Sequence, residues 1–286
     1  MSMSRTDLIS IFRMELLSRR SDLKQEVLDA VRRFDVSIGW HYILDFIWLL
    51  EGVETLPPGS TILDAGAGHG LMQMLLAARG HKVLSIDYSP RIPFDSYRAK
   101  ASIRVLSRSG FDEAYLERVR ARGMDAGVSD EPLAVLAEKG VDIVYWRADI
   151  SDLSPLPNEC VDAVVSVSAL EHNSKEKLLT CCSELERVLK PGGTMHVTVC
   201  GSDREEWFHE PSKGWCYPEK SLIEYFGLRN PESNFSEAEA AFAELKQGDG
   251  LKEHLSESYF VSGDNGMPWG KWNPEYLALG VRKNKN

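Results

Sequence analysis

Apolar positions early in the chain recur at three- and four-residue steps. Leu23, Val27, Leu28, Val31 and Phe34 fall on one face, and residues 6–51 read as helices. Pro57-Pro58-Gly59-Ser60 then breaks the chain, because neither proline donates a backbone N–H and glycine turns freely. Beyond the break, short apolar runs alternate with helical ones. Residues 61–64 and 82–87 read as strands around a helix over 71–78, which Gly80 ends. Strands are also predicted over 141–148 and 161–167. A helix over 174–190 stops at Pro191-Gly192-Gly193, and a strand over 194–200 follows. Strands separated by helices imply a largely parallel sheet with right-handed crossovers. Two segments fall outside this rhythm. Residues 91–139 are charged, read as helical and are long for one crossover, so part of them is expected to lie over the open edge of the site. Residues 202–264, rich in Trp, Glu and Pro, precede a terminal strand near 275–282. Substrate choice would most naturally reside in these two segments.

Composition narrows the function classes. With 33 basic and 43 acidic side chains in 286 residues the net charge is −10, which argues against a partner held through nucleic-acid phosphates. The most apolar run, WHYILDFIWLL over 40–50, is too short for a membrane span and carries Asp45 in its middle. The first twenty residues lack the basic head, apolar run and cleavage site of a secretory signal. The five cysteines (Cys160, Cys181, Cys182, Cys200, Cys216) are odd in number and show no CxxC pair. Neither a disulfide framework nor a zinc ribbon is supported, and no metal site is expected. A reduced, cytoplasmic, soluble protein is the expectation, with Cys181 and Cys182 as small buried side chains.

The chemistry concentrates in Ile62-Leu63-Asp64-Ala65-Gly66-Ala67-Gly68-His69-Gly70, a strand running into a glycine turn and a helix. The glycines let the backbone approach a bound molecule and tolerate positive φ, and a helix N-terminus beyond the turn attracts anionic groups. The next strand ends in Asp87, at the edge where α/β sheets place their ligands. A carboxylate there can accept from two ribose hydroxyls, which points to an adenosine-containing cofactor. A dinucleotide loop would read G-x-G-x-x-G. Here D-x-G-x-G-x-G puts Asp64 where it would repel a pyrophosphate but could help hold an amino-acid ammonium. That favours S-adenosylmethionine (SAM) over NAD.

These residues resemble the class I SAM-dependent methyltransferases, particularly the broad small-molecule group often called type 11. ILDAGAGHG is similar to the family's first motif and VLSIDYSP to its second strand. RADISDLSPLPNECVDAVVSVSALEHNS resembles the adenine contact, fourth strand and following loop, and LERVLKPGGTMHVTV the next helix, turn and strand. The resemblance covers roughly residues 60–200. It implies a Rossmann-like α/β fold with a mostly parallel sheet of seven strands, an N-terminal helical cap (1–56) and a methyltransferase domain (57–286) with helical insertions. It further implies that Asp64, Gly66 and Gly68 surround the methionine portion, with Ala65 and Gly70 shaping the loop. Asp87 would take the ribose hydroxyls, Tyr88 would pack beside the adenine, and Asp149 would accept from the adenine amino group, with the Ile150 backbone beside it. Ser166 and Ser168 would line the path to substrate.

Methyl transfer from a sulfonium asks mainly for alignment. A base is needed only if the acceptor loses a proton as it attacks. His172 in Ala169-Leu170-Glu171-His172-Asn173 is either that base or a structural cap of the next helix. Trp40, His41 and Tyr42 are a pocket wall or a hydrophobic dock. Trp207, Phe208, Trp215, Tyr217, Trp269 and Trp272 form either an acceptor pocket or a satellite core. The reading is methylation of an O, N or C atom of a small-molecule or glycan-type acceptor, with S-adenosylhomocysteine as product, no nucleic-acid or membrane partner, and room for a homodimer. The alternatives are a SAM-binding cyclase or decarboxylase and a SAM sensor.

Overall fold

The computed structural model describes residues 6–252 and 272–286; Trp269 lies outside them. Among the described residues the strands, in chain order, are β1 (Leu8–Ile11), β2 (Thr61–Ala65), β3 (Lys82–Asp87), β4 (Ile103–Ser107), β5 (Ala126–Val128), β6 (Ile143–Arg147), β7 (Val161–Val167), β8 (Leu189–Gly201), β9 (Trp207–His209), β10 (Gly214–Cys216), β11 (Glu232–Ser233) and β12 (Leu277–Asn284). The strand count thus differs from the expected sheet of seven, and β9 and β10 pair apart from the rest. The chain divides into two compact units.

One unit comprises Thr55–Ser166, Thr180–Met195 and Lys285–Asn286. Its strands run in the order β7-β2-β3-β6-β4-β5, and the pairings β7–β2, β2–β3, β3–β6, β6–β4 and β4–β5 are all parallel. Ile62, Leu63, Val83, Leu84, Ile143, Val144, Ala163 and Val164 are at 0 % exposure. Such continuous apolar strands suit a parallel sheet covered on both faces. The strands read from sequence at 61–64, 82–87, 141–148 and 161–167 are here nearly to the residue. The 91–139 segment departs from its expected helical character. It holds the short helix Ala114–Ala121, but it also supplies β4 and β5, which lengthen the sheet at its edge. Its flanking charges masked the short apolar run Val105-Leu106.

The other unit comprises Met1–Glu54, Val167–Leu179 and His196–Asn284. Here the expected all-helical N-terminus opens instead with β1, which pairs antiparallel with β12 and parallel with β11. LISI alternates half-buried and buried positions along the paired strand. The side chain of Asn234 also bonds both backbone groups of Ile11, accepting from its N–H at 2.7 Å and donating to its carbonyl at 3.0 Å. The Ser21–Phe34 helix buries Leu23, Val27 and Phe34 as its spacing requires. The Tyr42–Val53 helix is buried nearly all round, and its Asp45 meets His41 at 2.8 Å. Among the described residues no helix is long and apolar enough to cross a membrane.

At Pro191-Gly192-Gly193 the helix ends earlier than expected, at Val188, and β8 runs through the turn residues. A Cβ on Gly193 would lie 2.8 Å from the Asp162 carbonyl and 2.9 Å from that of Lys190. Asp162 is itself fixed, since its carboxylate accepts from Thr61 N at 2.8 Å and Lys190 Nζ at 2.6 Å. Gly193→Ala is expected to cost about 1–3 kcal/mol by overpacking, whereas Gly127→Ala, which meets nothing within 4 Å, leaves stability near wild type. Urea midpoints check both, and equal midpoints would contradict the packing.

Candidate cofactor site

β2 delivers Asp64 and Ala65 to the edge of the sheet, and the chain then turns through Gly66 and Gly68, at φ 70° and 51°. Those angles are in the left-handed region that favours glycine. The turn is held from β3. Gly66 N–H and Ala67 N–H both donate to the Ile86 carbonyl, at 2.9 and 3.0 Å. Gly68 N–H donates to Asp87 Oδ2 at 2.7 Å, while Ser89 N–H donates to Asp87 Oδ1 at 2.7 Å. Two backbone amides thus orient the Asp87 carboxylate, and each oxygen keeps a lone pair for a further donor. Gly70 leaves little room for a side chain, as a Cβ would lie 3.0 Å from the Ala67 carbonyl.

Asp64 is the anomaly of the loop. It is at 0 % exposure, and neither carboxylate oxygen has a hydrogen-bond partner among the described residues. Burial pushes its carboxyl up to about 7; the Arg91 charge opposes that shift and the Asp87 charge adds to it. Buried polar groups are ordinarily satisfied, so two orphaned acceptors beneath a glycine turn suit a cationic group presented from the loop side. The methionine ammonium of SAM is such a group, and the residues fit it.

The remaining expected residues are distributed as follows. Tyr88 is exposed, with its ring 5.6 Å from that of Phe111. Asp149 is half-buried, and its Oδ1 accepts from Ser151 N–H and Oγ at 2.9 and 2.7 Å; Ile150 beside it is half-buried. Ser166 is fully buried and donates to the Ala65 carbonyl at 2.8 Å, a brace on the loop. In the other unit, Ser168 adopts φ 44° and donates Oγ–H to Glu171 Oε1 at 2.5 Å. His172 is exposed, with Nδ1 at 2.9 Å from the Lys213 carbonyl. A carbonyl only accepts, so Nδ1 donates in this contact. His69 is exposed and its ring packs 5.2 Å from Phe94.

The aromatic residues divide between core and surface. Trp40 is buried and donates Nε1–H to Tyr276 Oη at 3.1 Å, so it docks rather than lining an open wall. Phe208 and Trp215 face each other across the β9–β10 hairpin at 5.2 Å, and Tyr217 is fully buried. A groove of about 620 Å³ is lined in part by Trp207 and Phe242.

Sequence reasoning missed Arg91. Its guanidinium is buried, donating to the Gly68 carbonyl at 2.7 Å and to Ser85 Oγ and O at 3.0 and 2.7 Å, and it lies 4.5 Å over the Tyr145 ring. A basic residue four positions after Asp87, outside any helical pattern, was the available signal.

The raised Asp64 carboxyl has a thermodynamic consequence. Between about pH 4 and 7 the folded protein holds a proton there that the unfolded chain releases, so stability falls as pH rises through that window. Asp64→Asn removes this dependence. It is expected to gain on wild type across the window, by ~4 kcal/mol at most, while losing affinity for the cationic ligand. Denaturant titrations at several pH values check it, and a wild-type-minus-variant difference that stays flat with pH would contradict the assignment.

Parts of the chain are similar to known proteins. The methyltransferase-domain family matches residues 107–197, a stretch that begins after the glycine loop and includes Asp149, Ser166, Ser168 and His172. A ubiquinone biosynthesis O-methyltransferase of Hahella chejuensis is 26% identical over 143 residues, covering 50% of this chain and 44% of that protein. A tRNA (carboxymethyluridine(34)-5-O)-methyltransferase of Arabidopsis thaliana is 27% identical over 155 residues, covering 54% of this chain and 27% of that one. The chain thus spans less than half the length of these curated relatives. Among solved structures, the geranyl diphosphate C-methyltransferase of Streptomyces coelicolor A3(2) is 14% identical with a TM-score of 0.43, covering 84% of this chain and 74% of its own. The [4+2]-cyclase SpnF is 18% identical with a TM-score of 0.47, covering 87% and 85%. The glycine loop with its paired acids and the parallel sheet stand beside that match: residues 107–197 are similar to a methyltransferase domain.

Proposed function

We propose that this chain transfers a methyl group from SAM to an O, N or C atom of a small-molecule or glycan-type acceptor. The observation that carries the reading is the buried Asp64 carboxylate with both oxygens free, set beside Asp87 under the glycine turn. When bound, SAM supplies a sulfonium-activated methyl for in-line displacement by the acceptor. Asp64 would hold the ammonium, Gly66 and Gly68 would let the backbone close on the methionine portion, and Asp87 would accept from the ribose hydroxyls. Tyr88, Asp149 and the Ile150 backbone would bind the adenine end, with Ala65 and Gly70 fixing the loop. Ser166 would brace the loop from below, through its bond to the Ala65 carbonyl. Ser168 would line the acceptor's path, and where the acceptor is a hydroxyl His172 Nε2 would take its proton.

The two curated relatives act, by their names, on a ubiquinone precursor and on tRNA, so the acceptor class rests on this chain's own character. The net charge of −10 favours a small or uncharged acceptor over a polyanion.

Asp87→Ala is expected to weaken SAM binding by about 1–3 kcal/mol, through loss of two charge-assisted hydrogen bonds and of the Gly68 anchor. Unchanged affinity in calorimetry would refute the ribose assignment. With an acceptor found by S-adenosylhomocysteine release, His172→Ala should lower kcat and leave SAM affinity alone. Undiminished turnover would make His172 structural.

A further inference from the structure

Arg91 is a buried cation whose bonds all go to neutral acceptors. Two of its N–H groups reach backbone carbonyls, Gly68 at the tip of the turn and Ser85 in β3, and a third contact goes to Ser85 Oγ. Tyr145 backs one face of the guanidinium at 4.5 Å, and Tyr115 Oη donates to the Arg91 backbone carbonyl, so the residue is held at both ends. Arginine's planar fork suits this bridging, which a single ammonium cannot copy. Asp64 stands opposite Ser85 in the β2–β3 register, and it feels the Arg91 charge while making no hydrogen bond to it. The charge therefore stabilises the carboxylate without occupying either acceptor.

We infer that Arg91 is a positioning residue for the methyl donor, pinning the Gly68 turn and supplying the fixed positive charge that keeps the Asp64 carboxylate ready for an incoming ammonium. This rests on the SAM reading above. Three of the five Arg91 N–H donors go to Gly68 and Ser85, which fixes the guanidinium in place. The groups bearing on Asp64 are few. Arg91 favours its ionised form, Asp87 disfavours it, and the Tyr145 phenol, itself pushed up by burial, is coupled to it. Its flanking sheet partners, Ser85 and Val165, are uncharged, and His69 faces Arg91 and Asp87.

The test is a carbon-13 NMR titration of the Asp64 carboxyl in the protein without added ligand, paired with SAM calorimetry across pH, for wild type, Arg91→Gln and Arg91→Lys. Arg91→Gln should raise the Asp64 midpoint by about one unit or more. Its SAM affinity should fall about tenfold per unit below the new midpoint and recover toward about pH 9. Arg91→Lys should keep the midpoint near wild type but bind SAM more weakly, since one ammonium cannot bridge Gly68 and Ser85. An Asp64 midpoint unmoved by Arg91→Gln overturns the inference. If Arg91→Gln does not fold, Arg91→Lys decides, and wild-type SAM affinity in that variant overturns it. Should wild type bind no SAM at any pH, the donor reading fails, while the Asp64 midpoints still decide whether Arg91 governs that carboxylate.

Discussion

A carboxylate removed from water and given no hydrogen bond is among the most costly groups a fold can carry, and the glycine loop is arranged around one. Asp64 cannot be satisfied locally. Its sheet neighbours Ser85 and Val165 make no hydrogen bond to its carboxylate, and the Arg91 guanidinium bonds Gly68 and Ser85 instead. The turn above it is meanwhile fixed by Ile86, Asp87 and Arg91. A rigid loop over an unsatisfied anion exchanges stability for readiness to bind a cation. That exchange is what a pre-organised ligand site requires.

The parallel sheet makes the arrangement practicable. Parallel strands end together, so Asp64 at the end of β2 and Asp87 at the end of β3 arrive side by side. Their apolar bodies, buried on both faces, fix the register on which the loop geometry rests. Ser166 near the end of β7 adds a third point by bonding the Ala65 carbonyl. Three neighbouring strands thus converge on one turn, and each contributes a polar side chain with a distinct duty.

Much of this was legible in the sequence, because strand pattern and glycine spacing are local signals. β3 and β7 begin and end where the apolar runs and turn residues predict, and the β2–β3 pairing brings the strand ends that carry Asp64 and Asp87 together. What escaped depends on partners distant in sequence. β1 is four residues long and becomes a strand only because β12, about 270 residues later, pairs with it. Arg91 reads as one more charge in a charged segment until Gly68 and Ser85 close around it. The Ser166 hydroxyl pointed by analogy to the acceptor path, and only the fold commits it to the Ala65 carbonyl.

The central claim is that the unpaired Asp64 carboxylate and the oriented Asp87 carboxylate form a site for SAM. Isothermal titration of the intact protein with SAM and, separately, with NAD tests it most directly. Saturable one-to-one binding of SAM with none of NAD is the predicted result. Binding of NAD in preference to SAM would contradict the account, because a pyrophosphate would then be sitting against the very carboxylates said to exclude it.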